Sequence, residues 1–144
     1  MKKVVVITGL LLAVGFVSHA QEVGVRFGMS TGGPAAFDAV FSTSEFSRVH
    51  LDASFGRNSL GVDLLWDFIY RPLGNEGLNW YAGVGPAFWL GNPVEVFAVG
   101  ELGAEYRLPD VPISLSMDWR PTFLLIPVTG NAMDRFGFNV RYVF

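Results

Sequence analysis

Phe136-Gly-Phe-Asn-Val-Arg-Tyr-Val-Phe144 closes the chain and decides how the rest of it is read. Phe136, Phe138, Val140, Tyr142 and Phe144 take every second position, and Gly137, Asn139, Arg141 and Val143 stand between them. Successive side chains of a β-strand point to opposite faces, so this alternation predicts a strand with one apolar face and one mostly polar face.

The other end carries an export pattern. Met1-Lys-Lys supplies a basic start, and Val4 to Val17 is apolar except for Thr8 and two glycines. Ser18-His19-Ala20 then offers the small residues of a cleavage site. The pattern predicts a secretory signal peptide over residues 1–20, cut before Gln21. A spanning helix needs about 20 apolar residues, more than this run provides. No cysteine follows, so no lipid anchor is expected there.

Removing 20 residues from 144 leaves 124, enough for one domain over residues 21–144. All basic residues beyond Lys2 and Lys3 are arginines, eight against 13 acidic ones, for a formal charge of −5. An acidic chain of this kind argues against nucleic acid as a partner. Without cysteine there is no disulfide, thiolate site or thiol nucleophile. With one histidine left after cleavage, no metal and no cofactor is expected. Mean hydropathy is high at +0.38, yet the apolar residues beyond residue 20 are spread by alternation rather than gathered in a long run. That is the distribution a membrane β-barrel needs.

Eight strands are predicted, at about Glu22–Ser30, Ala36–Ser42, Ser47–Gly56, Ser59–Arg71, Leu78–Leu90, Val94–Leu108, Ile113–Leu124 and the terminal segment. The connections carry turn chemistry, as in Thr31-Gly-Gly-Pro34, Gly91-Asn-Pro93 and Pro109-Asp-Val-Pro112. Only the last, about Ile126–Asp134, has any length. The fifth strand is the hardest to orient. Its face of Tyr81, Gly83, Gly85, Ala87 and Trp89 is placed inward for its small residues. Leu64 is expected to face outward, and Leu65 to face a polar lumen beside Asp63 and Asp67. Trp66, Tyr70, Trp80, Trp89, Trp119 and Tyr142 fall mostly near strand ends, where aromatic girdles sit.

The fold expected is therefore all-β: a closed antiparallel up-and-down transmembrane barrel, because a sheet in lipid must close to satisfy its backbone. Eight strands leave an interior just wide enough for side chains. Arg26, Asp63, Asp67, Glu101, Glu105, Asp118, Arg120 and Arg141 are expected to fill it as a polar network. A soluble periplasmic lipocalin-like barrel with an apolar ligand inside is the inverted alternative. The absence of lysine beyond Lys3 speaks against it.

The terminal strand resembles the closing strand of bacterial outer-membrane barrels, ending in an aromatic carboxyl terminus. The resemblance implies that Phe136, Phe138, Tyr142 and Phe144 form an assembly signal read by the barrel-assembly machinery, with periplasmic chaperones on the way. Gly103-Ala-Glu-Tyr-Arg-Leu-Pro-Asp-Val-Pro-Ile-Ser-Leu-Ser-Met-Asp-Trp-Arg-Pro121 is similar to a strand–turn–strand of small Bacteroidetes outer-membrane barrels. It implies a Gram-negative outer membrane, contact with its lipid and lipopolysaccharide, and a monomer, but no activity.

Catalysis is weakly supported. Glu101 and Glu105 share a strand face four residues apart, about 13 Å, too far for a glycosidase pair. Asp63 and Asp67 fail alike. His50 shares a face with Arg48, Asp52 and Ser54, the elements of a Ser-His-acid arrangement without a family motif. A lipid-modifying enzyme centred on His50 is thus the alternative to a structural, envelope-stabilising or surface-interaction role without catalysis.

Overall fold

The computed structural model describes residues 21–74 and 76–144, all of them strand or connection. The expected signal peptide lies outside the described residues. Ten strands follow one another: β1 (Glu22–Gly28), β2 (Ala35–Ser44), β3 (Ser47–Gly56), β4 (Ser59–Pro72), β5 (Leu78–Leu90), β6 (Glu95–Arg107), β7 (Ile113–Trp119), β8 (Thr122–Ile126), β9 (Gly130–Ala132) and β10 (Phe136–Val143). Each pairs antiparallel with its sequence neighbour through β7. β10 closes the sheet by pairing with both β7 and β1, from Glu22↔Val143 to Gly28↔Gly137. The result is a closed eight-stranded up-and-down barrel, with β7 and β8 acting as one staggered strand and β9 and β10 as another.

The seventh strand, expected to run unbroken to Leu124, is interrupted at Arg120-Pro121. Pro121 has no N–H to give to a ladder. Its carbonyl accepts from Gly100 N at 2.9 Å, and Arg120 N turns to Arg135 O at 2.8 Å. β6 therefore pairs with β7 over Leu102–Arg107 and with β8 over Val96–Val99. The long last connection is not plain loop, because β9 lies within it and pairs back on β8, Thr122↔Ala132 to Leu124↔Gly130.

Alternation governs the two faces. On β10, Phe138 is 40% exposed and Val140 37%, whereas Asn139 and Arg141 between them are sealed inside. On β5, Tyr81, Gly83 and Ala87 face inward as expected. Leu64 is 44% exposed and Leu65 fully buried. Leu65 does face the lumen, but its neighbours there are Ala87, Phe97 and Val99, an apolar layer flanked by Trp89 and Leu124. Trp89 thus belongs to the interior rather than to an aromatic girdle.

Tyr70, expected in the outer girdle, changes sides. The β4–β5 register shifts between Asp67 and Ile69, a bulge that leaves Phe68 out of the ladder. Phe68 stays outside, and the phase of the strand reverses after it. Tyr70 then reaches inward, where its hydroxyl donates to Glu105 Oε1 at 2.9 Å.

Next to that bulge β5 crosses β4 very closely. A Cβ added to Gly85 would stand 1.9 Å from Leu64 O, whereas one added to Gly130 in the β8–β9 hairpin would meet nothing nearer than Leu124 Cβ at 3.9 Å. Gly85→Ala is expected to lower the urea midpoint of the detergent-folded barrel, by upwards of about 1 kcal/mol as overpacking costs. Gly130→Ala is expected to leave it unchanged. Equal midpoints for the two variants would contradict the register of β4 on β5.

Candidate functional site

The inward side chains form one charged network along the barrel axis. β3 contributes Arg48, His50, Asp52 and Ser54 in succession, one from every second position. β1 and β2 add Glu22, Arg26 and Asp38; β4 adds Asp63 and Asp67; β6 adds Glu101 and Glu105. β7, the Arg120 that follows it and β10 add Ser114, Ser116, Asp118, Arg120, Asn139 and Arg141. All of these are buried. Glycines on the neighbouring, hydrogen-bonded strands make room for large inward side chains. A Cβ on Gly137 would lie 2.3 Å from Arg26 Cζ, and one on Gly103 would lie 2.3 Å from Tyr81 Cζ.

Each buried guanidinium serves several acceptors. Arg26 donates to Asp118 Oδ1 at 2.6 Å, to Met29 O at 2.8 Å and to Ser30 Oγ at 3.1 Å. Arg48 donates to Asp67 Oδ2 at 3.0 Å and to Glu105 Oε2 at 2.6 Å, while its guanidinium lies 4.3 Å from the Tyr70 ring centre and 4.5 Å from that of Tyr81. Arg141 pairs closely with Asp38 and donates to Ser116 Oγ at 2.9 Å. Arg120 is the most heavily engaged. Its Nε and one terminal nitrogen converge on Glu101 Oε1 at 3.0 and 2.8 Å, and its other terminal nitrogen pairs closely with Asp52. Asp63 Oδ2 and Asp118 Oδ1 each stand 3.5 Å from it. Near the end where β1 begins, the half-exposed Arg107 bridges Glu22 and Glu105.

The structure places all eight residues of the sequence-derived network in the lumen, though not as one cluster. Arg26 meets Asp118 with Asn139 behind it, whose amide donates to Asp118 Oδ2 at 2.7 Å. Glu101 and Glu105 engage different arginines, Arg120 and Arg48. Glu22, Asp38 and Tyr70 belong to the same interior outside that set, as do Arg48 and Asp52 from the face of His50 and Tyr81 from the inward face of β5. The polar face of each strand was the signal for all but Tyr70, which only the bulge brings in. Phe136, Phe138, Tyr142 and Phe144 line the outer wall, with Tyr142 and Phe144 edge to face at 5.1 Å.

The Ser-His-acid arrangement does not form. Ser54 Oγ accepts from Gly32 N at 2.7 Å and faces Gly61 O at 3.4 Å. His50 instead points its Nε2 to within 2.9 Å of Asp67 Oδ2, out of line for a hydrogen bond, and its Nδ1 towards Glu101 Oε1 at 3.8 Å and Asp38 Oδ1 at 4.0 Å. Its ring lies against Tyr81, centres 5.6 Å apart. His50, Asp67 and Glu101 thus gather donor atoms within 4.8 Å of one another. A count of one histidine gave no hint of this grouping, because the ligands come from three strands.

No family model matches the chain, and no curated protein or solved structure matches it either.

Removing one member of a buried charge network strands its partners, typically at about 3–5 kcal/mol. Arg120→Met leaves four carboxylates without their shared cation and is expected to cost at least that much, or to prevent refolding. Arg107→Met removes a guanidinium that is 39% exposed and is expected to cost well under half as much, since water screens it. Urea titration in detergent ranks the two, and the reverse order would contradict the lumen as drawn.

Proposed function

We propose that this chain is a small integral outer-membrane barrel with a structural, envelope-stabilising or surface-interaction role and no catalytic one. The observation that carries the reading is the distribution of charge. Among the described residues the exposed charged ones are Glu45, Arg57, Arg71, Glu76, Asp110 and Asp134, and each lies in a connection or at a strand end. The wall between them presents Phe27, Phe37, Leu64, Trp66, Phe68, Val84, Leu102, Met117, Phe123 and Phe138. An apolar belt of this extent on a closed sheet suits lipid, since water-facing patches of such size are rare on monomers.

The lipocalin-like alternative calls for an apolar interior. Here eight carboxylates are buried inside, and the largest sealed side chains are Arg26, Arg48, Arg120 and Arg141, with Tyr81 and Leu65. An interior so filled supports neither ligand storage nor a wide conduction path. The engaged hydroxyl of Ser54 and the full enclosure of His50 likewise favour a scaffold over a lipid-modifying enzyme. The likeness of Gly103–Pro121 to small Bacteroidetes barrels agrees with this placement.

Leu64→Arg decides between lipid and water. In a bilayer it is expected to cost about 2–4 kcal/mol, as cations on a lipid face do. On a water-facing wall it would be neutral. The measurement is folding into lipid vesicles followed by gel mobility with and without heating. Added to planar bilayers, the folded protein is expected to give no steady current steps, and lipid A from cells with and without it is expected to be identical. Open-channel steps, or a lipid A change tied to the protein, would replace the scaffold reading by a pore or an enzyme.

A further inference from the structure

The lumen holds more negative charge than its arginines neutralise. Glu22, Asp38, Asp52, Asp63, Asp67, Glu101, Glu105 and Asp118 are all buried. Against them stand the buried Arg26, Arg48, Arg120 and Arg141 and the half-buried Arg107 and Arg135, leaving an excess of two carboxylates. Arg120 alone is shared by four of them. A carboxylate in low dielectric without a full counter-charge is costly, so an interior of this composition is a place for a further cation.

Unpartnered polar atoms belong to the acids that surround His50. His50 Nδ1, fully enclosed, has no hydrogen-bond partner and faces Glu101 Oε1 at 3.8 Å and Asp38 Oδ1 at 4.0 Å. Asp38 Oδ1, Glu101 Oε2 and Asp67 Oδ1 are equally buried and equally unpartnered. Donor atoms bound to one ion at about 2.0–2.2 Å stand roughly 3–4 Å apart. The separations about the imidazole are close to that, and His50, Asp67 and Glu101 fall within 4.8 Å as a group.

We propose that His50, Asp67 and Glu101 form a buried site for one divalent transition-metal ion. One imidazole nitrogen with carboxylate oxygens and no sulfur suits Zn²⁺, Mn²⁺ or Co²⁺ better than Ca²⁺ or Mg²⁺. Asp67 Oδ2 and Glu101 Oε1 already accept from Arg48 and Arg120, which leaves the unpartnered Asp67 Oδ1 and Glu101 Oε2 for the ion. The ion ties β3, β4 and β6 together inside the lumen, a structural site closed to solvent. It is independent of whether the outer wall meets lipid or water.

The test uses the full chain purified without a polyhistidine tag, with His19→Gln so that one imidazole remains. The protein is unfolded with a chelator and refolded in detergent with Zn²⁺ or Co²⁺, and free metal is then removed. Elemental analysis is expected to find one ion per chain, and Co²⁺ to give visible ligand-field bands. His50→Gln is expected to retain less than a tenth as much metal while keeping its heat-modifiable mobility. The imidazole resonances are expected to move on Zn²⁺ loading and not on Mg²⁺, a readout that does not require any His50 variant to fold. Metal retention equal in His50→Gln, or imidazole resonances identical with and without Zn²⁺, would overturn the site.

Discussion

A guanidinium shared between carboxylates is the interaction on which the interior depends. In the closed sheet the charged side chains of the strand middles point inward. Once there, each carboxylate needs a cation within reach. Arg120 supplies that need for Asp52, Asp63, Glu101 and Asp118 at once, and Arg48 bridges Asp67 and Glu105 while stacking on Tyr70 and Tyr81. A planar fork with five donors can do this; a lysine ammonium presents a single compact, strongly hydrated charge. The use of arginine alone beyond Lys3 is thus a requirement of the lumen as much as of the wall.

Packing makes that network possible. A long inward arginine needs a gap on the neighbouring strand, and the gaps are glycines. Gly137 accepts the guanidinium of Arg26, and Gly103 accepts the ring of Tyr81. Any side chain at those positions would push a charge out of its place. Breaking such pairs is expensive even where forming them added little net stability, because the cost lies in leaving the partner buried alone. Rigidity of the lumen and sealing of the barrel are therefore one property.

Much of this architecture was legible in the chain. Strict alternation identified the strands, and the bounds of β3 and β5 follow it residue for residue. The polar face of each strand named Arg26, Asp63, Asp67, Glu101, Glu105, Asp118, Arg120 and Arg141, all of which lie in the lumen. The break at Pro121 had a signal in the missing N–H of proline, weighed too lightly against the apolar residues on either side. The bulge at Phe68 had none, since Phe68 keeps the outward phase and only the residues after it reverse.

Sequence by itself determined which residues share a face, because side-chain direction in a strand depends on parity alone. It also determined that the barrel would close, because the exposed edge strands of an open sheet would be left unpaired. Tertiary structure alone decided who meets whom across the lumen. Arg26 and Asp118 are 92 positions apart, and Arg48 and Glu105 are 57 apart. Those meetings follow from register and stagger, which a single bulge or proline resets for every residue beyond it. His50 shows the difference most clearly: parity put it beside Asp52 and Ser54, strand pairing brought it Asp38 and Asp67 from β2 and β4, and the curled sheet added Glu101 from β6.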